Sequence, residues 1–397
     1  MSLHDVVSGE RLHIGFFGLR NAGKSSLVNA VTGQNLAVVS DVKGTTTDPV
    51  KKAMELLPLG PVVIIDTPGL DDEGELGMLR VEKARQILAK TDLAVLVIDA
   101  VAGMSSLDHR LVEEFQSRKT PYVIVHNKCD LLENTPELPA DAMYASARTG
   151  LGVHDLKERL GAFAKQVKKE KILCSDLFEA GDPVVLVMPI DESAPKGRLI
   201  LPQQLTLRDI LDHHGIPGCC QDTELKTTLA ALAKKPALVI TDSQVFKKVS
   251  VDTPDDVMLT SFSILMARYK GALATLVQGA EALSRLADGD RVLISEGCTH
   301  HRQCNDIGTV KIPGLIQRFS GAEPVFSFTS GGEFPADLSE YRVVVHCGGC
   351  MLNETEMKNR MRLCAKAGVP MVNYGVALAA MNGILERSLL PFAASGR

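Results

Sequence analysis

From residue 12 to about 171, short solid apolar runs alternate with stretches of helical period. The runs Leu12–Phe17, Val62–Ile65, Leu93–Ile98, Tyr122–Val125 and Ala142–Ala145 predict strands covered on both faces, as in a parallel sheet. Apolar positions spaced by three and four predict helices over Lys24–Val31, Met78–Lys90, Leu107–Arg118 and Val153–Lys168. Asp48–Leu57 alternates weakly and reads as an edge strand. Strand and helix in turn, joined by short connections, predict a doubly wound α/β domain over residues 1–171. The basic run Lys165–Lys171 reads as a solvated helix end, and residues 172–182 as a linker. A second α/β segment, 183–257, opens with the strand Pro183–Pro189. It continues with helices near Thr206–His213 and Thr223–Lys234, the strand Ala237–Thr241 and a mixed stretch to about Asp256. A third α/β segment, 258–397, begins with a long amphipathic helix, Met258–Ala287, interrupted near Gly271 and Gly279. Strands at Arg291–Ser295, Val325–Thr329, Arg342–His346 and Met371–Tyr374 follow, with helices at Thr355–Ala367 and Gly375–Gly383. No internal repeat is visible.

Charge and composition narrow the function. A formal charge of −5 argues against a chain that lives on nucleic acid. No apolar run reaches the length of a membrane span. The first residues lack a basic n-region followed by an apolar h-region, which predicts a cytoplasmic protein. Nine cysteines, an odd number without a secretory signal, argue against a disulfide framework. Cys129 is the sole cysteine of the first 170 residues, whereas Cys298, Cys304, Cys347, Cys350 and Cys364 crowd the last hundred. That crowding points to a metal. The vicinal pair Cys219–Cys220 reads as a turn carrying two incidental thiols.

The segment Gly18–Ser25, GLRNAGKS, fits the phosphate-loop pattern and lies directly between a strand and a helix. Its glycines, Gly18 and Gly23, let the backbone N–H groups of Asn21, Ala22 and their neighbours face phosphates. Lys24 reaches the β- and γ-phosphates, Ser25 ligates Mg²⁺, and Ser26 completes the cradle. DTPG (Asp66–Gly69) follows an apolar strand. Asp66 can hold Mg²⁺ through water and the Gly69 amide can face the γ-phosphate. NKCD (Asn127–Asp130) selects guanine. The Asp130 carboxylate accepts from N1–H and the 2-amino group, Asn127 bonds the O6/N7 edge, and the Lys128 stem covers the ring. SAR (Ser146–Arg148) follows the last strand, where Ser146 and Ala147 are nucleotide-binding candidates and the Ala147 amide can donate to O6. These elements predict a GTPase using GTP, GDP and Mg²⁺.

In the last segment, EGCTHHRQC (Glu296–Cys304) and HCGGC (His346–Cys350) each follow a strand, where open α/β sheets place ligands. Cys347 and Cys350 can share one metal centre and Cys298 adds a third thiolate. His300, His346 or Glu296 can supply a fourth group. On the residues by themselves, structural zinc and an iron–sulfur cubane with one exchangeable position fit equally well. A thioredoxin-like dithiol is disfavoured by the crowded histidines.

Over residues 12–165 the nucleotide motifs resemble the Era/TrmE branch of translation-factor-type GTPases. The resemblance implies that Thr46, in the loop Gly44–Thr47, completes the Mg²⁺ shell. It also implies that Asn21 ligates a K⁺ ion beside the phosphates. Leu70 stands where Ras-type enzymes carry the water-orienting glutamine, which implies slow, cation-tuned turnover. The pair Cys298-Thr299-His300 and His346–Cys350, downstream of such a GTPase, is similar to the [FeFe]-hydrogenase maturation GTPases (the HydF family) along the whole chain. That resemblance implies a [4Fe–4S] cluster on Cys298, Cys347 and Cys350, with Glu296, His300, His346 or water in the fourth position. His301 and Cys304 fall outside the minimal motif. It further implies a dimerisation domain in the middle, a homodimer, and a transient diiron precursor made with two radical-SAM maturases. That precursor is handed to apo-[FeFe]-hydrogenase. The competing expectation is a ribosome- or RNA-associated GTPase with a structural zinc in its C-terminal domain, which the acidic charge and few aromatics argue against.

Overall fold

The computed structural model describes residues 8–34, 50–69, 83–167, 172–190, 199–297, 307–349 and 351–394. The chain separates into two compact units, Met1–Glu170 and Lys171–Arg397. The first holds strands β1 (Leu12–Phe17), β2 (Val50–Leu56), β3 (Gly60–Asp66), β4 (Leu93–Asp99), β5 (Tyr122–Asn127) and β6 (Ala142–Tyr144). They lie in the order β2-β3-β1-β4-β5-β6, parallel except that β2 runs antiparallel to β3. Every residue of β1 is buried, as its solid apolar run requires, whereas the lysine-bearing β2 is largely exposed at the sheet edge. Leu27, Val28 and Val31 of the helix Lys24–Thr32 share one face of the sheet with Leu156, Leu160 and Ala164 of the helix Val153–Val167. On the other face, Leu107, Leu111 and Phe115 of the helix Ser106–Arg118 join Leu88, and Phe17 and Phe115 meet at 5.4 Å. A capping box fixes that helix's start. Ser105 accepts from the Asp108 amide at 3.1 Å, and Asp108 accepts from the Ser105 amide at 2.9 Å.

The second unit contains two four-stranded sheets, each wholly parallel. Strands β7 (Pro183–Val187), β8 (Ile216–Cys220), β9 (Leu238–Thr241) and β10 (Met258–Ser261) run in the order β10-β9-β7-β8. Strands β11 (Arg291–Ser295), β12 (Val325–Thr329), β13 (Val343–His346) and β14 (Met371–Asn373) run in the order β12-β11-β13-β14. Both have the same winding: the first strand carries the second on one side and the third on the other. One apolar core runs through the two sheets, joining Val185, Val187 and Val239 to Val292, Val344 and Val372.

Several expectations for this unit are corrected. Residues 172–182 are no free linker: Leu173 and Cys174 are buried, and Asp176 accepts from both terminal nitrogens of Arg268. GIPGCC is not a turn, since Ile216–Cys220 forms the edge strand β8, where Pro217 has no lost ladder partner. The long helix from Met258 is instead strand β10, the helices Phe262–Tyr269 and Leu273–Ala280, and a 3₁₀ turn. Ser261 stops the strand and caps the first helix, accepting from the Ile264 amide at 3.3 Å. Helices Ile312–Ser320 and Leu385–Ala394 were not foreseen. No described helix is long and apolar enough to cross a membrane.

The helix Leu273–Ala280 crosses β14 at Gly279, where a Cβ would fall 1.9 Å from the carbonyl oxygen of Met371. Backbone cannot yield as a side chain does, so Gly279→Ala should destabilise the second unit by about 2–3 kcal/mol. Gly314, inside the helix Ile312–Ser320 with nothing within 4 Å of an added methyl, is the control. Gly314→Ala should stabilise by about 0.5–1 kcal/mol. Urea unfolding of both variants reads the two signs.

Candidate functional site

The nucleotide site gathers where β1, β3, β5 and β6 end. Gly18 has φ 137° and a Cβ there would lie 2.1 Å from the Val97 carbonyl oxygen, so only glycine lets the loop turn against β4. Asn21 is exposed and holds a left-handed backbone, φ 61°, which asparagine tolerates. Lys24 is buried and donates to the carbonyls of Gly18 at 3.0 Å and Leu19 at 2.8 Å, which curls the loop over its own ammonium. Burial pushes that ammonium down to about 8, against the pull of Asp66 and Asp108. Ser25 donates to Asp66 Oδ2 at 2.6 Å, while Asp66 Oδ1 is buried with no hydrogen-bond partner among the described residues. Burial raises the Asp66 carboxyl, opposed by the Ser25 hydrogen bond and the Lys24 charge. A hydroxyl beside a carboxylate with an orphaned oxygen is a donor set suited to a hydrated Mg²⁺. Thr67 donates its hydroxyl to the Phe16 carbonyl at 2.7 Å, locking the start of DTPG to β1. Gly69 packs on the Arg20 backbone, 2.7 Å from where its Cβ would stand.

The two motifs expected to read the base are tied to this loop by one side chain. Asn127 donates to the Ala22 carbonyl at 2.9 Å and accepts from the Ala147 amide at 3.0 Å. A Cβ on Gly23 would lie 2.2 Å from Asn127 Nδ2. Lys128, φ 65°, reaches Asp99 at 2.6 Å, and Ser146 accepts from the Thr149 amide at 3.1 Å. A cleft of about 210 Å³ lies between Gly23 and Ser26 on one side and Asn127, Lys128, Asp130, Ser146 and Ala147 on the other. Asp130 is exposed at its rim. Asp99, which holds the Lys128 ammonium, gave no sequence signal, because the contact spans from β4 to the loop after β5. Thr46 and Leu70 lie outside the described residues.

In the second unit, Glu296, Gly297, His346 and Cys347 meet at the carboxyl ends of β11 and β13. Cys298, His300, His301, Cys304 and Cys350 lie outside the described residues, and no three metal-ligating side chains converge among those described. The Cys347 sulfur accepts from the amides of Gly297 at 3.0 Å and Gly349 at 3.3 Å. The Cys347 amide donates to the Ser295 carbonyl at 2.9 Å. Glu296 is buried and accepts from the Tyr374 hydroxyl at 3.2 Å.

His346 is fully buried and both of its ring nitrogens are engaged. Nδ1 meets the Cys347 carbonyl at 2.7 Å and must carry the proton, so Nε2 accepts from Arg360 at 2.9 Å. Burial, then the Arg360 charge, hold the imidazole near 3, and the Lys270 charge acts the same way. Both ring nitrogens of His346 are thus engaged in this arrangement, and the residue stands as a strut behind Cys347. Arg360 and Lys270 themselves gave no sequence signal, each being one basic residue in an ordinary helical stretch. Cys364 is a core thiol, raised to about 12 by burial, and lies 3.9 Å from the Met371 sulfur.

Three family models match the chain in succession. A 50S ribosome-binding GTPase model covers residues 13–128. A hydrogen maturase F dimerization domain covers 173–271, and a hydrogen maturase F tetramerization domain covers 274–391. Among curated relatives, the tRNA modification GTPase MnmE of Xanthomonas euvesicatoria is 39% identical over 170 residues, 41% of this chain and 37% of that protein. The Bordetella avium MnmE is 35% identical over 157 residues, 39% of this chain and 34% of that protein. The chain thus spans little more than a third of the length of these relatives. Among solved structures, an Aquifex aeolicus Era variant bound to GDP and aluminium fluoride is 20% identical. It covers 53% of this chain and 92% of that chain, with a TM-score of 0.35. A probable GTP-binding protein engB is 22% identical and covers 39% and 99%, with a TM-score of 0.33.

Asn127→Ala strips the hydrogen bonds to the Ala22 carbonyl and from the Ala147 amide and separates the phosphate loop from the loop at Ser146–Arg148. Affinity for a fluorescent GTP analogue should fall about 10- to 100-fold, which titration measures directly.

Proposed function

The chain belongs to the hydrogen maturase F family and is a GTPase of hydrogenase maturation, and on that premise we propose that it is a nucleotide-controlled iron–sulfur scaffold and carrier. The observation that carries this reading is the surroundings of one sulfur. Gly297 and Gly349, whose amides donate to Cys347 Sγ, are the residues immediately before Cys298 and Cys350 in the chain. Two strand ends are therefore brought to one sulfur by the flanks of the other two cysteines. Amide donors to sulfur suit a cluster thiolate, whose charge they spread. Cys298, Cys347 and Cys350 would hold a [4Fe–4S] cluster. Such a cluster would supply one exchangeable iron, for which Glu296, His300, His346 or water would compete. The cargo is a diiron precursor, received with two radical-SAM maturases and delivered to apo-[FeFe]-hydrogenase. Dimerization and tetramerization segments support self-association, and we read the working form as at least a homodimer in the cytoplasm.

In the first unit, the residues act on GTP by holding charge in place. The amides of Gly18–Ser26 would cradle the phosphates, and Lys24 would turn from its carbonyls to the β/γ-oxygens. Ser25 and Thr46 would bind Mg²⁺ directly, with Asp66 reaching it through water. The Gly69 amide would face the γ-phosphate. Asn21, with the loop wound past it at a left-handed backbone, would ligate K⁺, the cation standing in for an arginine finger. Asn127, Lys128, Asp130, Ser146 and Ala147 would read guanine. Slow hydrolysis suits a timer for handover. The RNA-associated alternative has no support from the two maturase segments that follow the GTPase.

Anaerobic iron and sulfide analysis, with an EPR spectrum of the reduced protein, tests the scaffold. A cubane signal should be present and be lost in Cys347→Ser; stoichiometric zinc without iron would sink the reading and restore the structural-zinc one. For the cation, GTP hydrolysis should run at least about tenfold faster in K⁺ than in Na⁺, and Asn21→Ala should erase the difference. Equal rates in the two salts reject the K⁺ role.

A further inference from the structure

Lys270 is 4% exposed, yet its side chain carries an ammonium into the interior of the second unit. That ammonium donates to the carbonyl of Gly349 at 2.5 Å and to the carbonyl of Leu352 at 3.1 Å. These two carbonyls bracket Cys350 in sequence, and the Gly349 amide is the one that donates to Cys347 Sγ. The clamp is delivered from the middle sheet. Lys270 follows the helix Phe262–Tyr269, which Ser261 at the end of β10 caps, and Gly271 turns the chain away at φ 69°. Arg268, two residues earlier, is fixed by Asp176 and lies over the Phe392 ring at 5.1 Å. The lysine thus reaches out from a braced support and is no loose side chain.

Burying an ammonium costs several kcal/mol. Backbone carbonyls can be held at smaller cost by amides, and a methionine fills the same space without the charge. The other buried cation nearby, Arg360, has its charge met by Glu356 at 2.8 Å and serves His346 from behind. Lys270 meets the loop at Gly349, whose amide donates to Cys347 Sγ, so its charge is delivered to the backbone that holds that sulfur. A positive charge so placed stabilises whichever form of the loop's contents is more negative.

We infer that Lys270 is a positioning residue of the cysteine loop, pinning Gly349 and Leu352 from the middle sheet and favouring the more anionic state of the cluster held there. The electrostatic half rests on reading that loop as a cluster site; the pinning half stands without it.

The test uses the full chain with Lys270→Met and Lys270→Gln. In cluster-free protein, hydrogen exchange of the Gly349 and Leu352 amides should quicken at least about tenfold in Lys270→Met. Lys270→Gln, which keeps a donor, should exchange more slowly than Lys270→Met. In anaerobically loaded protein of equal iron content, a dye-mediated dithionite titration should show the midpoint potential more negative in both variants. Their reduced EPR spectra should differ from that of the unaltered protein. Unchanged exchange together with an unchanged potential overturns the inference. If the unaltered protein takes up no iron, the cluster reading fails separately and the exchange result decides the pinning. If Lys270→Met does not unfold cooperatively, the exchange and potential of Lys270→Gln against the unaltered protein decide both halves.

Discussion

The structure depends on how parallel strands can be connected. A right-handed crossover brings each new strand to one side of the last, and when the winding reverses, the connections at the carboxyl ends part and leave a crevice. The reversal falls at β1 in the first unit and at β7 and β11 in the two sheets of the second. The phosphate loop follows β1. The loop with Glu296 and Gly297 follows β11, and the loop with Cys347 follows β13 beside it. The nucleotide site and the surroundings of Cys347 are placed by the same geometric necessity, with different residues written into the gap.

What could be read in the sequence follows from how local each signal is. The strands of the first unit are solid apolar runs, so their burial on both faces was legible in residue order, as was GLRNAGKS between strand and helix. β8 escaped because IPGCC holds a proline and a glycine and has only a partly buried face, the composition of a turn. β10 escaped because Met258–Ser261 runs without a break into an apolar helix, and the sole punctuation is the capping serine. The two sheets of the second unit share a winding order that no sequence repeat discloses, since topology constrains hydrophobicity and connection length but hardly constrains side-chain identity.

Around the cysteines, legibility stopped at residue type. HCGGC announced thiolates and a nearby imidazole, but not that the imidazole is spent on a carbonyl and a guanidinium. The difference lies in Arg360 and Lys270, which come from fourteen residues after and nearly eighty before the loop. Buried charges of this kind are a tertiary fact. They constrain the fold strongly, because each must find its acceptors or remain expensively desolvated, and they leave no periodicity by which to be found.

The contact between Gly23 and Asn127 has a consequence for how such a site can diversify. With no room for even a methyl group between them, the phosphate cradle and the frame of the base pocket form one steric body, and neither can drift unless the other drifts with it. Asp130, by contrast, stands in the open at the rim. On the proposed reading of Asp130, chemical preference for the base is thus carried by a replaceable fitting on a frame that is not replaceable. Descent from such an ancestor can retune what the unit binds far more readily than where it binds it.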